Sequence, residues 1–287
     1  MITQWIEEYL SAKIAERRSP ATITTYRIRL GRFGTWVLEQ PNQVLTRALL
    51  RAYSAYLAQQ NISITSHYSY LNDALVLVRW LAEEGYIQPV KTDKLKPRLP
   101  KRLPAHYTMD QIKRLLLVAE LREKAMLCVL LDTGVRVSEL IQLRRTSFDS
   151  EGCAMILGKG SKDRYIWISS VTQEVLRTYI ASRTDTNPAL FVSHRQQKTL
   201  TISGVHQSFD RVASDAEIRN DVRRLIHSFR ATFARELIKK GLDAESLRVL
   251  MGHETIQMSL HYAQLSSHEA TQNRQGVNLL EKVESCL

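Results

Sequence analysis

The sequence predicts a mainly α fold in two parts. An N-terminal four-helix bundle (residues 1–88) is followed by a mixed α+β domain with one small β-hairpin (107–287), and a basic, proline-rich linker at 89–106 joins them. Three observations carry this. Four apolar stripes at helical spacing fall within the first 85 residues. The composition then shifts: residues 86–107 hold four of the seven prolines and six Lys or Arg against the single Asp93. Finally, two alternating runs, marked by Ala154, Ile156, Tyr165 and Trp167, bracket the glycine-rich turn GKGSKD.

In chain order, Ile2, Trp5, Ile6, Tyr9 and Leu10 give the first helical stripe. Ser19-Pro20 is a strong helix start, with proline at the first helical position. The helix it opens aligns Ile23, Tyr26, Leu30 and Phe33, and Arg27, Arg29 and Arg32 lie mostly off that stripe. Such a basic face suits a phosphate backbone or plain solvent, and the bundle alone does not choose between them. Thr46 is placed to cap a third helix carrying Leu49, Leu50, Tyr53 and Leu57, and a fourth runs from about Ile64 to Glu84 and stops at Gly85. In the linker, Pro89, Pro97, Pro100 and Pro104 stiffen a segment bearing Lys94, Lys96, Lys101 and Arg102, which would serve either as a strap on a duplex or as a solvated spacer.

The second domain opens with the capping-box pattern Thr108-x-x-Gln111, and a further helix spans about Glu123 to Asp132. In LDTGVRVSEL, Gly134 allows a tight turn and a short helix restarts near Val135, which places Arg136 in its first turn. A cation there opposes the helix dipole, so Arg136 reads as aimed at a bound phosphate, with Glu139 three residues on able to orient it or a nearby His. In the hairpin turn, Lys159 sits between two glycines. Either Lys159 or Lys162 can reach a neighbouring groove, and both also fit a solubilising tip. Two more helices are expected around 171–183 and 203–216, with a short strand ALFVS between them and a polar loop through His194, Arg195 and Lys198.

The densest stretch is HSFRATFARELIKKGLDAESLRVLMGHETIQMSLHY, residues 227–262. His227 and Arg230, at i and i+3, share one helical face. Gly241 stops that helix, Asp243 caps the next, which ends at Gly252 before His253, and Thr255 caps a short third helix carrying Tyr262. An always-charged guanidinium grips phosphate in a fork, and a phenol can act as a covalent nucleophile. Beyond Tyr262, an apolar side through Val277, Leu279, Leu280 and Val283 suits packing on the same domain or insertion into a neighbour.

Forty Lys and Arg against 29 Asp and Glu give a net charge of +11, which favours an anionic partner, nucleic acid ahead of membrane. The longest aliphatic run, Ala125 to Leu131, is far too short to cross a bilayer, and MITQWIEEYL has two acids where a signal peptide would be basic, so a cytoplasmic, nucleoid-associated location is expected. Cys128, Cys153 and Cys286 form neither a disulfide framework nor a metal pattern and are read as reduced thiols.

TGVRVSEL, the GKG hairpin, HSFR, LMGH and a tyrosine nine residues after that histidine occur in this order. On these motifs the chain resembles the tyrosine recombinases, the phage integrase and Xer-like family. The resemblance covers the second domain well. The helical first domain and basic linker agree with that family's core-binding, DNA-binding domain without a diagnostic motif. It implies site-specific recombination, with cutting and rejoining through a 3′-phosphotyrosyl link. Arg136, Lys159, His227, Arg230, His253 and Tyr262 would form the catalytic set, with Glu139 in support, and the family pattern favours the lysine inside GKG. Tyr262 would attack. Arg136 and Arg230 would clamp the non-bridging oxygens, with His253 donating beside them. His227 would serve the phenol, and Lys159 would protonate the leaving 5′-oxygen. Arg27, Arg29, Lys94, Lys96, Lys101, Arg102 and Lys162 are the DNA-backbone candidates. The covalent link conserves the phosphodiester's free energy, so no ATP is expected. No carboxylate cluster suits Mg²⁺, so neither metal nor other cofactor is expected. The implied partners are double-stranded DNA bearing specific sites and three further copies of the chain in a tetramer that exchanges C-terminal tails. A type IB topoisomerase would share the chemistry but rejoin the same strand, a relaxase would need a metal-binding His cluster, and a non-catalytic regulator leaves Tyr262 and its partners unexplained.

Overall fold

A computed structural model of the protein describes residues 1–100, 104–157, 163–193, 197–218 and 225–263, with Leu225 and 261–263 described by backbone alone. The chain divides into two compact units, Met1–Lys101 and Arg102–Leu287.

The first unit is built on four helices, α1 (Ile2–Ala15), α2 (Pro20–Leu38), α3 (Arg47–Gln59) and α4 (Ile64–Glu83). Three start on hydroxyl caps: Ser19, Thr46 and Ser63 accept from the backbone N–H of Thr22, Leu49 and Ser66, satisfying donors the helix leaves open. Their apolar stripes meet in one core in which Tyr9, Leu30, Phe33, Leu50, Tyr53, Leu71 and Val78 are fully buried. Phe33 and Tyr53 pack with ring centroids 4.8 Å apart, and Trp36 with Tyr53 at 5.1 Å.

The segment expected to be an extended strap lies in part on this unit. Leu95 is buried in the helical core and Val90 packs against it. Arg47 donates to the carbonyls of Lys91 (2.7 Å) and Asp93 (3.0 Å), and Lys96 donates to Asn72 Oδ1 at 2.6 Å. Proline content signalled an extended backbone but not that Val90 and Leu95 supply apolar anchors.

In the second unit the order is α5 (Met109–Val118), α6 (Leu121–Thr133), α7 (Val137–Leu140), β1 (Cys153–Leu157), β2 (Asp163–Trp167), α8 (Ser170–Ala181), α9 (Ile202–Asp215), α10 (Leu225–Lys239), α11 (Ala244–Met251) and α12 (Ile256–Ala263). The Thr108–Gln111 capping box forms as the spacing predicts. Helix α6 is the centre: Ala125, Met126, Leu127, Val129 and Leu130 are buried, and α8, α9 and α10 pack around it. The ALFVS segment is buried but makes only single bridges, Arg144 with Ala189 and Val192 with Thr199, rather than the expected strand. The antiparallel hairpin sets Ala154 opposite Ile166 and Ile156 opposite Arg164, and these four residues face inward. Tyr165 and Trp167 therefore point outward, 71% and 56% exposed. Because side chains alternate with a strict period of two, an inward Arg164 puts Tyr165 and Trp167, one and three positions on, at the outer face.

Candidate active site

Two left-handed turns frame the site. Gly134 ends α6 at φ 58°, and Gly252 ends α11 at φ 60°. A Cβ on Gly134 would stand 2.4 Å from Phe233 Cδ1, and one on Gly252 3.1 Å from Arg164 Nη1, so both turns need glycine for conformation and for space. Arg136 follows the first turn and His253 the second.

Arg230, on α10, ties the turns together. It is 3% exposed, and its guanidinium donates to the carbonyl of Gly134 at 2.6 Å and to that of Met251. These carbonyls lie at helix C-termini, where acceptors lack intrahelical partners and the dipole favours a cation. Arg136 is half-buried and stands one position earlier than expected, at the N-cap of α7 with extended backbone. Its Nη1 donates to Glu139 Oε1 (2.9 Å) and its Nη2 to the carbonyl of Gly252 (3.2 Å). The repulsion expected from the helix start is offset by Glu139, which also accepts the Arg136 backbone N–H at 2.7 Å.

Glu139 and Arg164 form the buried base of the site. Arg164 Nη1 and Nη2 donate to the two carboxylate oxygens at 3.0 and 2.7 Å. Burial would raise the Glu139 carboxyl, but the bonds from Arg164 and Arg136 outweigh it and hold the group at about 2. Above them, His253 is 4% exposed, with Nδ1 2.8 Å from the hydroxyl of Ser259 on α12. Burial, followed by the charges of Arg230, Arg136 and Arg164, pushes this imidazole down to about 4, so it is neutral at pH 7. His227 is exposed on α10, one turn before Arg230, and Tyr262 lies on α12, one turn after Ser259.

Arg136, Glu139, Arg230 and His253 thus gather at one place. Lys159, Lys162, Lys101 and Arg102 lie outside the described residues. Of the other backbone candidates, Arg27 pairs with Glu7 at 2.7 Å, Arg29 with buried Asp73 at 2.9 Å, Lys96 bonds Asn72, and Lys94 is exposed. Among the described residues, no three His, Cys, Asp or Glu side chains gather as a metal site, and no helix is long and apolar enough to cross a membrane. Sequence reasoning missed Arg164 and Ser259. The available signals were an arginine at the same strand parity as Ile166, and a hydroxyl one helical turn before the tyrosine.

Comparison with known proteins gives a consistent result. The profile of the phage integrase family matches residues 106–269, more than half of the chain. "Tyrosine recombinase XerA" of Thermococcus onnurineus is 28% identical over 289 residues, covering 98% of this chain and 97% of its own. A crystal structure of XerA recombinase aligns at 25% identity with a TM-score of 0.55, covering 96% of this chain and 98% of that one. The XerH site-specific recombinase bound to a palindromic difH substrate, in a post-cleavage complex, shares the fold with a TM-score of 0.75 at 20% identity, over 96% of this chain and 84% of the other.

Proposed function

The chain belongs to the phage integrase family and is a tyrosine recombinase acting in site-specific DNA recombination. From that premise we propose that Tyr262 is the nucleophile and that Arg136, Arg230, His253, His227 and Lys159 serve one scissile phosphate. What carries the reading is the convergence of Arg136, Arg230 and His253 at the Gly134 and Gly252 turns, although Arg230 lies 96 residues from Gly134 in the chain.

Double-stranded DNA is the partner. The Tyr262 oxygen forms a bond to phosphorus, the 5′-oxygen leaves, and the DNA remains joined through a 3′-phosphotyrosyl link. His227 takes the phenol proton and Lys159 supplies one to the leaving oxygen. Arg136 and Arg230 answer the charge that grows on the non-bridging oxygens. The neutral His253 ring carries one N–H. When the Ser259 hydroxyl donates to Nδ1, that hydrogen sits on Nε2, the nitrogen that donates to the phosphate in this reading. Attack by a partner strand's 5′-hydroxyl on the same phosphorus expels Tyr262 and completes the exchange without ATP. Two duplexes present four such phosphates, so four copies of the chain assemble on DNA. In that assembly the segment after about Ser266 docks on the neighbouring copy, and the bundle and basic linker lie along the duplex. The working location is the nucleoid.

The test is trapping on a substrate nicked beside the site, so that the short 5′-hydroxyl fragment diffuses away and the covalent adduct accumulates. Tyr262→Phe should keep DNA binding and give no adduct, and adducts at normal yield would sink the assignment. Lys159→Ala should cleave ordinary DNA about 10²–10⁴-fold slower and recover most of its rate when the bridging 5′-oxygen is sulfur, because a thiolate needs little protonation. Rescue of Lys162→Ala instead would move the general acid to Lys162.

A further inference from the structure

We infer that Arg164 is a positioning residue for cleavage: it holds Glu139, and through Glu139 sets the direction and the net charge of the Arg136 guanidinium. The inference rests on the reading of Arg136 as a phosphate clamp.

Geometry comes first. Glu139 uses both oxygens twice. Oε1 accepts from Arg136 Nη1 (2.9 Å) and Arg164 Nη1 (3.0 Å), and Oε2 accepts from the Arg136 backbone N–H and from Arg164 Nη2, both at 2.7 Å. The fork from Arg164 fixes the plane of the carboxylate. A carboxylate fixed in its plane offers Arg136 one direction, and the remaining Arg136 bond, to the carbonyl of Gly252, agrees with it. Arg164 also lies against Gly252 itself, close enough that any Cβ there would meet its guanidinium. One buried side chain therefore touches both the support of Arg136 and the turn that presents His253.

Charge is the second argument. A carboxylate paired with Arg136 alone would orient it but cancel its field towards an incoming phosphate. Two arginines sharing one carboxylate leave a net positive charge. Arg164 is 7% exposed and lies beneath the site, whereas the Arg136 side chain is 28% exposed. The unneutralised charge is thus presented at Arg136. This arrangement permits firm orientation by an acid without loss of the clamp's charge, and electrostatic stabilisation of this kind depends on preorganisation.

The experiment compares cleavage of two substrates by the full chain. One carries the ordinary scissile phosphodiester. The other carries a methylphosphonate, in which methyl replaces one non-bridging oxygen, so that less negative charge develops and the clamp matters less. Arg164→Lys keeps the charge but loses the fork. It should bind DNA like the wild type, remain folded at the assay temperature, and form adduct on ordinary DNA on the order of 10²-fold slower, the effect typical of a small misplacement. On methylphosphonate the gap to wild type should shrink to a fewfold, as it should for Arg136→Ala. A deficit of equal size on both substrates, or no deficit, overturns the role of Arg164. If Arg136→Ala shows no substrate-dependent deficit, the clamp reading itself fails, and the inference fails with it. Should Arg164→Lys fold poorly, the double variant Glu139→Gln, Arg164→Gln removes the pair without leaving a lone buried charge. It should show the same substrate-dependent loss, and a wild-type rate in it overturns the proposal.

Discussion

The helices of the first unit run 14, 19, 13 and 20 residues, whereas the elements around the site in the second unit include helices of 4, 8 and 8 residues. Helices shorter than about 12–15 residues are marginal by themselves. The first unit's helices bury continuous apolar stripes against one another, and its Arg29–Asp73 pair lies at the edge of that core. The short elements of the second unit bury Leu140 of α7 and Leu247 and Met251 of α11, and are tied as well by buried charges donating to carboxylate and carbonyl oxygens at turns that only glycine makes easily. Catalysis gains preorganised donors from such turns, and stability there comes to depend on a few polar bonds. The difference teaches that the bundle should tolerate local change and the site should not.

The strongest way to break this comparison is to remove one charge. Glu139→Ala leaves Arg164 buried without its carboxylate, which should destabilise the second unit by roughly 3–5 kcal/mol. Thr46→Ala in the first unit removes one cap and should cost about 1 kcal/mol. Hydrogen exchange followed by segment in the intact chain reads both. A small, bundle-like effect of Glu139→Ala would mean that the polar base is not what holds the site.

Acid should separate the units next. The folded His253 sits at about 4 against an ordinary 6.5, so the unfolded chain takes up its proton first, and stability falls as pH drops from about 6.5 towards 4. Glu139 is held at about 2 against 4.5, so its stabilisation is complete above about 4.5 and is lost as pH falls towards 2. Each contributes roughly 3 kcal/mol over its window. The first unit has a buried His67 that burial also lowers, and it should therefore loosen in acid too, whereas the second unit combines His253 with Glu139. Exchange protection near α10 and α11 should fall before that of α2 and α4, and simultaneous loss would contradict the contrast.

Glycine substitutions sharpen it further. Gly252→Ala forces a positive φ on alanine and pushes a methyl at Arg164, which should cost about 1–3 kcal/mol and slow adduct formation. Gly31→Ala, in the interior of α2 with open space around its Cβ, should stabilise the bundle by about 0.5–1 kcal/mol. Thermal melts of the two variants should therefore move in opposite directions.

The smallest effect expected is on DNA affinity. Exposed Lys94 should contribute about 0.9 to the slope of log K against log salt if it meets a phosphate. Lys96, already bonded to Asn72, should contribute less. Equal slopes for Lys94→Ala and Lys96→Ala would show that the contact with Asn72 yields on binding.

Much of this protein is written locally. Ser19, Thr46, Ser63, Thr108 and Asp243 cap the helices they precede in the sequence, and Gly134 and Gly252 end theirs, because capping and the left-handed turn need only neighbours within a few residues. The order of the motifs likewise brought Arg136, Arg230 and His253 to attention without any structure. What sequence could not supply is the partner of each charge. An arginine looks the same in sequence whether it faces solvent, as Arg27 does, or lies under the site, as Arg164 does. Its fate is decided by contacts made across long separations: 25 residues from Arg164 to Glu139, 44 from Arg29 to Asp73 and 96 from Arg230 to Gly134. Hydrophobic pattern misleads at such a point, since the aromatic Tyr165 and Trp167 of β2 face out while Arg164 faces in beside Ile166. The bidentate bond to Glu139 is available only on the inner face, and the strand's period of two lets one parity of side chains reach it.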